Sequence, residues 1–263
     1  MTSEDTSPLV FDDRNIAGLR HIRLNNPNKL NILNSAQQEI IATAITVARY
    51  DDAVTCLAFS GEGRAFCAGN DIVTKATAIP EYKRHQVDLE IGSGPIGLHA
   101  LITKIRNFPK PTVVLMQGYA LGAGYDIATS CDIRVATSDC KFGDPRVHRA
   151  LWAAEGWSYK ITRLIPQTHF SEMHLRGELL SGEYAREIGL VHRTFNPDTD
   201  LRESASEILN HLASTPTRSY SMAKDSLLRG LDLGFDDLQI STRSHPADLN
   251  YEQSINSNQD RAW

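Results

Sequence analysis

The chain repeats one octapeptide. Ala65-Phe66-Cys67-Ala68-Gly69-Asn70-Asp71-Ile72 and Ala120-Leu121-Gly122-Ala123-Gly124-Tyr125-Asp126-Ile127 both read Ala-x-x-Ala-Gly-x-Asp-Ile, 55 residues apart, and each follows an apolar run of strand character. A strand leading through an Ala-Gly turn into a helix can bring backbone N–H groups against a ligand, because glycine permits unusual backbone angles and close approach. A helix start also presents donors with no partner inside the helix. Around the second copy, Gly118, Gly122 and Gly124 put three glycines within seven residues. Two such turns, each offering one donor, suit a single carbonyl oxygen better than a phosphate. The plainer reading is that both are only tight helix starts.

The rest of the chain narrows the setting. At 263 residues, with 41% hydrophobic and 22% charged residues, there is core material for one large domain or a domain plus a helical appendage. A net charge of −5 lacks the basic excess of a nucleic-acid binder, so no nucleic-acid partner is expected. Cys56, Cys67, Cys131 and Cys140 have neither zinc-ligand nor disulfide-framework spacing, so no metal is expected and a reduced, cytoplasmic or organellar-matrix setting fits. No apolar run is long enough to cross a bilayer, and no membrane partner is expected.

Apolar spacing predicts strands at Leu19–Leu24, Val54–Phe59, Thr112–Met116, Ile133–Ala136 and Leu190–Phe195. It predicts helices over 36–49, capped by Ser35, over about 98–105, from Gly124, over 157–164 and over 170–175, and another from Ser181 to Gly189. The stretch 72–97 has a weak pattern and reads as a surface segment near a ligand entrance. After Asp198 strand signals stop and helical ones continue, which predicts an α/β body over 1–198 and a helical region over 199–263.

Several segments, in order and spacing, resemble the crotonase (enoyl-CoA hydratase and isomerase) superfamily over nearly the whole chain. They are His21 to Asn31, Ala65 to Ile72, Lys110-Pro111 with Gly118 to Ile127, Cys131-Asp132-Ile133, Phe142-Gly143, Leu180-Ser181-Gly182 with Ala185, Gly189-Leu190-Val191 and Ala223-Lys224. The resemblance implies an α/β fold, a spiral of repeated ββα units with a C-terminal helical region that mediates trimer packing, as a homotrimer or dimer of trimers. It implies an acyl-CoA substrate, with coenzyme A arriving as part of that substrate and no separate cofactor. It also implies that backbone N–H groups at Ala68 and Ala123, beside Gly69 and Gly122, form an oxyanion hole for the thioester carbonyl. Leu30, Ala65, Ala68 and Asp71 become candidate contacts to CoA, with core packing as the plainer reading of each.

The acids decide the chemistry. Hydratases of the family use two glutamates, and at those positions this chain has Asp126 and Arg146. Arginine cannot act as a base near neutral pH. Glu155, in Ala153-Ala154-Glu155-Gly156, resembles the acid-Gly motif of peroxisomal-type Δ3,Δ2-enoyl-CoA isomerases, in which one carboxylate moves a proton from C2 to C4. Trp152 and Trp157 flank it and would keep water out. The plainer reading of Glu155 is a helix-start acid. Asp126 then stands as an auxiliary acid or an internally bonded one, and His148 as a surface residue or a helper in carbon–carbon hydrolysis. Three readings stay open: isomerase with Glu155; hydratase or carbon–carbon hydrolase with Asp126, His148 and Glu155; and a non-catalytic binder of acyl-CoA or a partner protein.

Overall fold

The architecture comes from a computed structural model that describes residues 9–12, 15–71, 97–151 and 156–243. The stretch 72–96, read above as an entrance segment, lies outside them.

Among the described residues a six-stranded sheet runs β1 (Leu9–Asp12), β2 (Leu19–Leu24), β3 (Cys56–Gly61), β4 (Thr112–Met116), β6 (Ile133–Thr137) and β9 (Arg193–Phe195), in that spatial order. Apart from β1, antiparallel to β2, every pairing is parallel. A three-stranded sheet orders β5 (Tyr119–Leu121), β7 (Lys141–Gly143) and β8 (Leu180–Ser181), parallel then antiparallel.

The two sheets grow together. Each long strand passes through a tight turn into a short extended piece, and these pieces pair successively: Leu33 with Asn70, Cys67 with Ala120, then β5 with β7. A helix follows most steps: α1 (Ser35–Tyr50), α2 (Leu98–Arg106) and α3 (Ala123–Ser130). That is the expected ββα spiral, and strand periodicity alone could not reveal it because the second strand of each unit is one to three residues long.

The period-two alternation of a strand sends neighbouring side chains to opposite faces. Ile22, Leu24, Leu57, Phe59, Val114 and Met116 belong to one buried core with Ile41, Ile45, Leu101 and Ile105 of the helices and Phe66, Tyr125 and Phe142. The other face of the large sheet meets α7 (Leu201–Ser204) and α8 (Ser206–Ser214), and Thr55 Oγ1 donates to the Ala213 carbonyl at 2.6 Å. Helix α1 begins one residue from where Ser35 as cap would place it. Asn34 is the cap, accepting from the Gln37 N–H at 2.9 Å while its own N–H donates to Gln37 Oε1 at 3.0 Å.

Between β7 and β8 lie a short 3-10 helix (Pro145–Arg149), α4 (Trp157–Leu164) and α5 (Gln167–Leu175), and α6 (Gly182–Glu187) follows β8. The chain divides into two compact units, residues 1–217 and 218–263. The second is represented by α9 (Thr217–Gly230) from its second residue on and α10 (Phe235–Arg243). No described helix is long and apolar enough to cross a membrane.

Candidate active site

The two octapeptide turns meet. Cys67 and Ala120 form a parallel bridge, with the Cys67 N–H donating to the Tyr119 carbonyl and the Leu121 N–H to the Cys67 carbonyl, both at 2.9 Å. A Cβ on Gly122, whose φ is +52°, would lie 3.7 Å from the Gly69 Cα. One on Gly124 would lie 2.8 Å from the Cys67 Cβ and collide with the Cys67 carbonyl oxygen. Glycine at 124 therefore serves contact between the turns, whereas the sequence suggested contact with a ligand.

The peptide planes decide which amides are on offer. Ala68, expected to donate to a thioester, instead donates its N–H to the Leu30 carbonyl at 2.9 Å. The Ala68 amide is thus engaged within the fold. The Gly69 carbonyl accepts from the Leu33 N–H at 2.9 Å and so points toward the Leu33 edge. In a trans peptide the following N–H points the opposite way. The Asn70 N–H is thus turned to the edge where β5 runs into α3. There Ala123, buried at the first position of α3, has an N–H with no acceptor inside its own helix.

The segment before this junction is clamped. Leu30 and Asn31 are both left-handed, at φ +52° and +56°. Asn31 accepts from the Asn26 N–H at 2.7 Å and donates to the carbonyls of Glu62 at 2.9 Å and Ala65 at 2.7 Å. Ala65 is buried and its carbonyl is engaged by Asn31, so of the expected CoA contacts it is the one least open to a ligand. The Asp71 N–H donates to the Leu33 carbonyl.

One turn into α3, Asp126 is fully buried. Its Oδ2 makes an ion pair with Arg146 Nη2 at 2.9 Å. Arg146, from the 3-10 helix, also grips Asp144, Nε to Oδ1 at 2.6 Å and Nη2 to Oδ2 at 2.9 Å. Asp144 Oδ2 meets His174 Nδ1 at 3.4 Å, and His174 Nε2 pairs with the Tyr125 hydroxyl at 2.9 Å. Burial alone would raise the Asp144 carboxyl, but hydrogen bonds from His174 and Arg146 together with the guanidinium charge outweigh it and hold it at about 2. Burial, with Asp126 and Asp144 nearby, pushes the Tyr125 hydroxyl well above the usual range for tyrosine.

The expected site residues therefore separate. Asp126 and Arg146 are joined, with Ala123 and Gly122 at the head of the same helix. His148 is exposed and packs against Gly177 rather than entering this network. Glu155 and Trp152 lie outside the described residues, and Trp157 opens α4. Sequence reasoning missed Asn70, Asp144 and His174. Asn70 had no such signal: amides alternate edges along a regular extended segment, which from Cys67 facing β5 would send Asn70 the way of Ala68, and Gly69 at φ +117° breaks that alternation. His174 lies 30 residues beyond Asp144 and left no local pattern, whereas Arg146 is only two residues away. Among the described residues a cleft of about 350 Å³ lies elsewhere, lined by His21, Ser60, Thr137 and Arg202 and not by either turn.

Comparison with known proteins agrees with this architecture. The family model described as "Enoyl-CoA hydratase/isomerase" matches residues 14–248. The chain is 28% identical to the short-chain-enoyl-CoA hydratase of Clostridium acetobutylicum over 216 residues, 82% of this chain and 79% of that protein. It is 27% identical to the 1,2-epoxyphenylacetyl-CoA isomerase of Escherichia coli, over 80% of this chain and 78% of that protein. Its fold superposes on an enoyl-CoA hydratase of Bacillus anthracis with a TM-score of 0.81 at 23% identity, covering 98% of each chain. A spiral of ββα units, duplicated turns in contact and a family match over most of its length place this chain in the enoyl-CoA hydratase/isomerase family, the crotonase superfamily of acyl-CoA enzymes.

Proposed function

We propose that the protein shifts a double bond in an enoyl-CoA, with Glu155 as the single acid and base. The observation that carries this reading is the 2.9 Å ion pair between Asp126 and Arg146. It occupies both positions where the resemblance puts the two glutamates of a hydratase, and it leaves one of them buried and neutralised and the other cationic. Water addition to C3 needs a group to activate the water, whereas proton transfer from C2 to C4 needs one carboxylate and a stabilised enolate.

In this reading the amides of Asn70 and Ala123 receive the thioester oxygen as charge develops on it. Losing one such donor typically costs about 3 kcal/mol of barrier. Coenzyme A is part of the substrate, and neither a metal nor a redox group takes part. The subunits assemble as a homotrimer or dimer of trimers, a reading supported by exposed Leu227, Leu231, Leu233, Phe235 and Ile240 in 218–243.

Incubation with a 3-enoyl-CoA tests the proposal: the ultraviolet absorbance of the conjugated 2-enoyl thioester rises. Full rate in a Glu155→Gln protein refutes it. A hydratase reading has support of its own, since the similar Clostridium acetobutylicum protein is a short-chain-enoyl-CoA hydratase. That reading requires ¹⁸O from solvent in the product, and the isomerase reading requires none.

A further inference from the structure

We infer that Gln38 and Asn70 form a recognition pair for a hydroxyl on the acyl chain, an inference that rests on the acyl-CoA reading above. Gln38 stands in α1 on the stripe that continues through Ile41 and Ile45, where helical spacing calls for an apolar residue. It is 1% exposed. Its Nε2 donates to Asn70 Oδ1 at 2.9 Å. Its Oε1 is shielded from solvent and has no hydrogen-bond partner. A buried acceptor left without a donor forfeits its hydration with no return, and such groups in native proteins call for an explanation.

The place of the pair supplies one. Asn70 carries the amide assigned above to the thioester oxygen, so its side chain lies within a few bonds of a bound carbonyl. Asn70 is half-buried, and one edge of its carboxamide faces away from Gln38. Beyond Gln38, a Cβ on Gly97 would come within 3.3 Å of Oε1, so the glycine that heads α2 keeps that oxygen uncrowded.

The pair leaves the Gln38 Oε1 acceptor and the Asn70 Nδ2 donors unmatched. A hydroxyl both donates and accepts, so it satisfies them together, accepting from Asn70 Nδ2 and donating to Gln38 Oε1. Exchanging oxygen and nitrogen in both amides reverses the roles and leaves the same complement. A ketone, which only accepts, or an alkyl chain, which does neither, leaves at least one group unsatisfied. From a carbonyl held at the Asn70 N–H, hydroxyls on C3 or C4 are within side-chain reach.

Calorimetric titration of the full chain with butyryl-CoA, 3-hydroxybutyryl-CoA and 4-hydroxybutyryl-CoA tests this. One hydroxylated ester should bind about tenfold more tightly than butyryl-CoA, as expected for roughly one buried polar group newly satisfied. In Gln38→Leu the ratio should fall to within about twofold, with no loss in melting temperature because the unsatisfied oxygen has gone. Gln38→Met serves if the leucine protein does not fold. Equal affinities for all three esters, or a preference that survives in the variant, overturns the inference. Absence of binding to every ester overturns the acyl-CoA reading beneath it.

Discussion

Arg146 Nη2 lies 2.9 Å from Asp126 Oδ2 and also 2.9 Å from Asp144 Oδ2, so one guanidinium holds two carboxylates together. The fold explains why both are affordable in the interior. Asp126 rides on α3 directly below the Ala123 turn, Asp144 caps the 3-10 helix that carries Arg146, and His174 of α5 closes the far side. The network locks the second octapeptide turn to the segment after β7, and its charges are committed to one another.

Removing the guanidinium should therefore expose the cost of burial. Arg146→Met leaves Asp126 buried without its cation, and unfolding in urea should report a loss of about 3–5 kcal/mol. The double variant Asp126→Leu, Arg146→Met should recover much of that loss, because both charges go together. If the single variant unfolds at the wild-type midpoint, the pair does not hold the turn in place.

Much of this site could be read in the sequence. The repeated octapeptide marked both turns, and the helix start at Ala123 was legible because an N-terminal helical amide needs no tertiary information to be identified. Ala68 went the other way. Its amide direction depends on which strand lies on which edge, and that is set by Leu30 and Leu33, more than 30 residues earlier. The cap of α1 shows the same limit on a small scale, since Asn34 and Ser35 are both good caps and only the reciprocal bond with Gln37 chooses between them. The chain also reads clearly where a period is long, as in α1, and poorly where pairing partners such as Asp144 and His174 are distant.

Acid should weaken the protein through Asp144. Its folded carboxyl sits at about 2, below the usual value of 3.8, so the unfolded chain takes up a proton first as pH falls. The stabilisation is fully present above about pH 4 and is lost between there and about pH 2, amounting to roughly 2 kcal/mol. Asp144→Asn should flatten this part of a plot of unfolding free energy against pH. An unchanged slope between pH 4 and 2 would show that the carboxylate gains nothing from its partners.

Gly124 should tolerate no side chain. The added methyl of Gly124→Ala collides with the Cys67 carbonyl and lies 2.8 Å from the Cys67 Cβ, and Cys67 is fully buried with its backbone paired to β5, so it cannot swing aside. Overpacking of this kind typically costs 1–3 kcal/mol, and here it also parts the two turns. Gly156→Ala is the control: its φ is +68° and nothing among the described residues lies within 4 Å of the added carbon, so backbone strain is the cost expected of it. Thermal unfolding should rank the two, with Gly124→Ala lower and its turnover of enoyl-CoA reduced more than its stability under assay conditions explains.

The two amides of the first turn can be separated chemically. Replacing residue 70 by its α-hydroxy acid analogue turns one amide into an ester, deleting a single N–H while the side chain remains. If that N–H receives the thioester oxygen, kcat should drop by about 10²–10³ with little change in melting temperature, as for other oxyanion donors. The same replacement at residue 68 deletes the bond to Leu30, which should lower stability by roughly 1 kcal/mol and leave kcat nearer that of the natural chain. The reverse pattern, with catalysis lost at 68 and stability lost at 70, would return the donor role to Ala68 and require the Leu30 carbonyl to move aside when substrate binds. Because the two amides lie two residues apart yet are turned to opposite edges, the comparison tests the peptide-plane argument directly.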